Sequence, residues 1–141
     1  MRSPTRRSMT EISVGLLDTS VVIDHDLVGP EQLPAMAGIS AVTLAELSAG
    51  PHTTSDPAER SRRQDRLQWV AATFDPYPLD ADAARAYGRV VAAVRASGRR
   101  ERSRVADLLI AATALAAGMP LFTRNPDDFA HLGDLVDVHA V

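Results

Sequence analysis

The sequence predicts an α/β sandwich with a short, mainly parallel central sheet, on three observations. Short apolar runs closed by polar turns, such as Val14 to Leu17 before Asp18, read as buried strands, and they alternate with segments of helical periodicity. The segment VADLLIAATALAAG at 105–118 is apolar nearly all the way round, as expected of a helix packed on two sides. The 141 residues suffice for one ordinary core and are too few for two comfortable domains.

The first strand, Val14 to Leu17, ends in Asp18, Thr19 and Ser20, and Val21, Val22 and Ile23 open a first helix with Thr19 or Ser20 as its cap. Residues 38–42 (GISAV) read as a second strand. In TLAELSAGP, Thr43 and Glu46 have capping-box spacing and Gly50-Pro51 stops the helix. After a loop at 51–56, Asp56, Pro57 and Glu59 supply the cap, first-turn proline and N3 acid of a helix whose apolar face is Leu67, Val70, Ala71 and Phe74. Pro76 to Leu79 suggests a third short strand or an extended link. Asp80 then caps a helix with Ala83, Ala86, Tyr87, Val90 and Val94 buried, which Gly98 ends. The apolar helix follows an arginine-rich loop and stops at Gly118. Met119 to Thr123 reads as a buried strand, RNPDDF as a turn into a short helix capped by Asn125 with Pro126 at N1, and Leu135 to Val141 as a last edge strand.

Apolar residues make up 45% of the chain and charged ones 23%, a globular composition. The longest apolar stretch, Leu108 to Met119, falls short of the roughly 20 residues that span a bilayer. MRSPTRRSMT carries positive charge with no apolar core behind it, so it is not a secretory signal, and a cytoplasmic location is expected. Residues 1–13 are expected to be a disordered extension, with Met1 or Met9 as the start, and 14–141 the domain. There is no cysteine, which removes thiolate nucleophiles and Cys-type zinc sites. There is also no lysine: all fifteen basic residues are arginine, so a Walker-type phosphate loop, a Schiff-base enzyme and a phosphoacceptor receiver domain each lose their central residue. The formal net charge is -3, yet arginines cluster at 60–66 (RSRRQDR) and 95–104 (RASGRRERSR). Those clusters are either local phosphate-binding patches or solvated helix ends.

Four acids stand where apolar neighbours would bury them: Asp18, Glu46, Asp107 and Asp128. A carboxylate in such a place needs a partner, and several together suggest a cation. Asp18 lies just beyond the first strand, at the edge where open parallel sheets bind ligands, although it would also serve as a helix cap. Glu46 is equally explained as the N3 acid of a capping box. Asp107 reads as lying inside the most apolar helix, with Arg104 three residues earlier as a conceivable ion-pair partner. Asp128, or Asp127 beside it, follows the strand ending in Thr123, and Thr123 and Asn125 add neutral oxygens. The histidines 25, 52, 131 and 139 show no ligand spacing. With hard oxygen donors alone, the metal should be Mg²⁺ or Mn²⁺.

LLDTSVVID at 16–24, TLAELSAG at 43–50, ADLLIAATALAAGMPLFTRN at 106–125 and NPDDF at 125–129 together resemble the four successive motifs of PIN-domain proteins, most closely the VapC ribonuclease toxins of bacterial toxin–antitoxin pairs. The resemblance covers the chain from about residue 14 to its end, and Arg104 to Phe129 is its most specific part. It implies a PIN-like α/β/α sandwich and a metal-dependent endoribonuclease whose acids fall on Asp18, Glu46, Asp107 and Asp128, with Thr19, Ser20, Thr123 and Asn125 in support. Asp18 and Asp107 would be the principal ligands of one or two Mg²⁺ ions, with Glu46 a ligand or water-orienting base and Asp128 completing the second position. A metal-activated water would cleave RNA in line, leaving a 5′-phosphate and a 3′-hydroxyl. An acidic cleft repels RNA, so Arg99, Arg100, Arg102, Arg104 and Arg124 are the candidate rim for RNA phosphates or for a cognate antitoxin, the partner that the resemblance implies along with a homodimer. Two rivals remain at this point: a haloacid-dehalogenase-type phosphatase, which lacks its lysine and its second aspartate here, and a catalytically inactive PIN-like scaffold that binds RNA or protein.

Overall fold

In the computed structural model, which describes residues 14–141, four short parallel strands form one sheet in the order β2-β1-β3-β4. They are β1 (Val14–Leu17), β2 (Met36–Gly38), β3 (Leu121–Thr123) and β4 (Val138–Ala140). The extension expected at 1–13 lies outside the described residues. Parallel neighbours need crossovers, and these supply the helices: α1 (Thr19–Ile23), α2 (Ala41–Ala49), α3 (Pro57–Thr73), α4 (Ala81–Ala96) and α5 (Val105–Ala117). Successive residues of a strand point to opposite faces, and both faces here are buried. Leu16 and Leu121 enter a cluster with Val90 and Val94 of α4 and Leu108, Ile110 and Ala111 of α5. Their neighbours Leu17 and Phe122 enter a second cluster with Val21, Ile39, Leu47 and Val70. That is the expected sandwich, apolar on two sides of a short sheet. Gly15 lets β1 pass Phe122, whose ring a Cβ at that position would strike. Gly118, at φ 68°, ends α5 in the left-handed region that glycine adopts without strain.

Asp56 and Asp80 cap α3 and α4 as expected, accepting from the Ala58 and Ala83 amides at 3.3 and 2.9 Å. Several other boundaries differ from the sequence expectation. β2 lies at Met36–Gly38 rather than 38–42, because Ser40 turns the chain into α2 and its hydroxyl accepts from the Thr43 amide at 3.0 Å. Ser40 is thus the cap of α2, and the capping box from Thr43 to Glu46 does not form. The cap of α1 is Asp18, not Thr19 or Ser20: its carboxylate accepts from the Val21 amide at 3.2 Å, and both of those residues are already helical. Pro76 to Leu79 makes only an isolated bridge, Tyr77 to Ser40. Ala71 is exposed, leaving Leu67, Val70 and Phe74 as the face of α3. The last strand shrinks to Val138–Ala140, since Leu135 is held in a turn through Leu132.

Candidate active site

Asp18 follows the last residue of β1, and its amide donates to the Phe122 carbonyl at 3.0 Å, which brings the ends of β1 and β3 together. The residue is 4% exposed, so its carboxylate depends on protein partners. Oδ1 accepts from the Ser20 hydroxyl at 2.5 Å as well as from Val21, and Oδ2 accepts from the Thr123 hydroxyl at 2.6 Å. Ser20 Oγ in turn accepts from the Arg124 amide at 3.1 Å, and Thr123 Oγ1 from the Asn125 amide at 2.9 Å. Two loops more than 100 residues apart in sequence are thereby stitched through one carboxylate. Burial pushes the Asp18 carboxyl above the ordinary 3.8, and these hydrogen bonds oppose the rise. Thr123→Val keeps the shape and removes both the bond to Asp18 and the acceptor of the Asn125 amide. It is expected to cost about 1–2 kcal/mol, read by urea denaturation, and to raise the Asp18 pKa further.

Glu46 sits on the exposed side of α2, where it takes a 2.5 Å hydrogen bond from the Thr19 hydroxyl. Thr19 Oγ1 also lies 3.0 Å from Thr43 Oγ1. A threonine has one proton to donate, so once Thr19 donates to Glu46, Thr43 must donate to Thr19. Ser40 stands 3.4 Å behind Thr43 in the same relay. Freed of any capping role, Glu46 is oriented from the first residue of α1. Thr43 and Ser40 were not among the expected site residues, although the Ser-x-x-Thr spacing is the local signal for the cap.

Asp107 occupies the first turn of α5, not its interior, because a 3₁₀ turn at Arg102–Arg104 precedes the helix and Arg104 is its N-cap. Its carboxyl is nonetheless raised from 3.8 to about 6, by burial first and then by the charges of Asp128, Asp18 and Glu46, with Arg104 opposing. The charges of Asp18, Glu46 and Asp128 therefore all reach Asp107. Arg104 does not pair with Asp107 as its spacing suggested. It donates to the Asp128 carbonyl at 2.8 Å and lies 3.5 Å from that carboxylate, which anchors the 3₁₀ segment Pro126–Leu132 across the site. Asp128, not Asp127, is the acid whose charge bears on Asp107; Asp127 is exposed. Asn125 caps that segment through its carbonyl, which takes the Asp128 amide at 3.0 Å, and not through its side chain.

Of the expected rim, Arg99, Arg100 and Arg102 are exposed and carry no ion pair among the described residues, so they are available to a phosphate. Arg104 is committed to Asp128, and Arg124 faces Asp24 at 3.5 Å. Arg99 and Arg104 also flank His131. They lower its pKa after burial has done so, and neither ring nitrogen has a hydrogen-bond partner among the described residues.

The donors that converge here are carboxylate and hydroxyl oxygens, the chemistry that hard divalent cations select. The elevation at Asp107 is what a cation would relieve. Among the described residues no three His, Asp or Glu side chains form a ready ligand cluster, so direct ligation by several of them requires side-chain rotation, or bridging waters of the kind Mg²⁺ retains.

The sequence profile of the PIN domain matches residues 15–135. Ribonuclease VapC8 of Mycobacterium tuberculosis is 42% identical over 105 residues, covering 74% of this chain and 93% of the relative. Ribonuclease VapC5 of the same organism is 35% identical over 135 residues, 94% of this chain and 97% of the relative. Among solved structures, the fold is similar to a member of the VapBC family of toxin-antitoxin systems, VapBC-5 from Mycobacterium tuberculosis, with a TM-score of 0.79, 34% identity and coverage of 92% of this chain and 99% of that one. VapBC2 from Rickettsia felis, at 19% identity and a TM-score of 0.73 with 91% and 98% covered, shares the fold.

Proposed function

The chain belongs to the PIN-domain family, and from that premise we propose that it is a metal-dependent endoribonuclease, the toxin of a toxin–antitoxin pair that a cognate antitoxin inhibits. The single observation that carries the reading is Asp107, whose carboxyl is lifted to about 6 by burial and by three other acids at once. Relatives named as ribonucleases, and a similar structure described as a toxin–antitoxin system, support the substrate class and the antitoxin.

In this proposal Asp18 and Asp107 are the main holders of a Mg²⁺ or Mn²⁺ ion, with Glu46 and Asp128 completing the set. When bound, such an ion supplies charge neutralisation at the attacked phosphate and acidifies water. The chain's own groups do the rest. Thr19 keeps Glu46 turned to the site, where the carboxylate can take the proton of an attacking water. The water's oxygen bonds to phosphorus, the bond to the 3′-oxygen breaks, and a proton from solvent goes to that oxygen, leaving a 3′-hydroxyl and a 5′-phosphate while Glu46 returns its proton to solvent. Arg104 holds Asp128 near Asp107, and Arg99, Arg100 and Arg102 attract the flanking phosphates that the acids repel. No helix among the described residues is long and apolar enough to cross a membrane, and a cytoplasmic location and a homodimer belong to the proposal.

Incubation of antitoxin-free protein with total cellular RNA, followed by mapping of new 5′ ends, tests the reading. Discrete cuts are expected with Mg²⁺ or Mn²⁺ and none with EDTA. A well-folded protein that cuts no RNA class with either metal would instead be a binding scaffold.

A further inference from the structure

One arginine cluster, RSRRQDR at 60–66, plays no part in the chemistry above, yet it borders the site. A cavity of about 310 Å³ opens beside Glu46 and Thr19, walled by Ile23 and Leu47 and reached by Arg66. A second hollow of about 380 Å³ shares Ile23 and Arg66 with it and is lined also by His25 and Trp69. Each is of the size of small-ligand clefts, about 300–1,000 Å³.

The arginines of α3 are not equivalent. Arg60 is spent on the carbonyls of Pro51 and Thr54 at 3.1 and 2.8 Å. Arg62 and Arg63 grip the two oxygens of Glu59 at 2.7 and 2.8 Å, which neutralises the acid that lines the cavity. Arg66 makes no ion pair or side-chain hydrogen bond among the described residues, and it is the cation common to both hollows. Beyond it, the Trp69 ring is stacked on His25 at 4.3 Å and braced edge-on by Phe74 at 5.8 Å, yet 38% of the residue stays exposed. Ile23 beside it is 45% exposed. A rigid aromatic surface next to an uncommitted guanidinium, contiguous with a catalytic carboxylate, is the equipment for holding one unpaired nucleotide: the phosphate on Arg66 and the base against Trp69 and Ile23. Asp65 and Asp26 also line the outer hollow, Asp26 lying 3.0 Å from His25, so the attraction is local to Arg66 rather than spread along the groove.

We propose that this groove is the subsite for a nucleotide flanking the scissile phosphate, read by Arg66 and Trp69. It rests on the ribonuclease reading and adds the path of the strand away from the acids.

Trp69 is the chain's single tryptophan, so its emission reports the subsite directly. Mixed-sequence RNA hexamers titrated into the Asp107→Asn protein with Mg²⁺ should quench that emission saturably, while a hexamer of abasic ribose phosphates should not. Arg66→Gln should raise the Kd of the quench about tenfold, and lower kcat/KM for RNA cleavage in the otherwise wild-type protein by a similar factor. RNA that is bound and cut with Trp69 emission and the Arg66→Gln kinetics unchanged overturns the subsite and leaves the ribonuclease intact. Quenching by the cognate antitoxin alone overturns it in favour of a protein-docking groove. Failure to bind or cut any RNA removes both readings together.

Discussion

Replacing Asp107 by asparagine is expected to abolish RNA cleavage and at the same time to stabilise the protein in EDTA. The loss of activity should be at least about a thousandfold in kcat/KM, the scale seen when one member of a concerted catalytic set is removed. The gain in stability follows from the shift of its carboxyl from 3.8 to about 6. A carboxyl with a raised folded-state pKa binds its proton more tightly in the folded protein. Between pH 3.8 and about 6 the folded state therefore holds more protons, and stability falls as pH rises through that window. Above it the penalty is complete. Because the side chain is only part-buried, screening reduces that penalty to about 1–2 kcal/mol. Asparagine carries no charge to repel, so at pH 8 in EDTA the variant should melt a few degrees higher, about 2–4 °C per kcal/mol for a chain approaching 150 residues. A variant that melts no higher than wild type there would mean that burial and the neighbouring acids do not penalise the ionised Asp107 carboxylate.

Divalent cations should reverse the same penalty. Mg²⁺ or Mn²⁺ at a hundred times its Kd is expected to stabilise the wild-type fold by about 2.7 kcal/mol, and Asp18→Asn should suppress most of that rise. The effect has a defined pH dependence. Ligation needs ionised carboxylates, and Asp107 titrates near 6 with Asp18 also raised, so the apparent affinity should climb from pH 5 to pH 7 and then level off. Thermal melts with and without metal at several pH values check this, and a metal effect independent of pH would separate binding from Asp107.

Much of the site was legible because its signals are local. Asp18 lies immediately after an apolar strand, and Asp128 lies a few residues after another. Other parts were misread for equally physical reasons. Asp107 looked internal to its helix because its immediate neighbours are apolar, whereas the helix begins only at Val105, after a 3₁₀ turn at Arg102–Arg104. Glu46 looked explained by a capping box, because two cap spacings compete in SAVTLAE and only the folded chain shows that Ser40 wins. Arg104 was assigned to the rim, and its true partner, the Asp128 carbonyl, is 24 residues away.

By itself, the sequence determined the fold class, most of the alternation of strands and helices and the places of four acids along the chain, since hydrophobic period and strand-end polarity are written in neighbouring residues. The tertiary structure alone decided which donor meets which acid. The bond from Thr123 to Asp18 spans 105 residues, and those from Arg124 to Ser20 and Thr19 to Glu46 span 104 and 27. Hydrogen-bond partners at such separations leave no periodic trace. The first two bonds exist because parallel pairing sets the ends of β1 and β3 side by side, and a buried carboxylate there must find its donors across that seam.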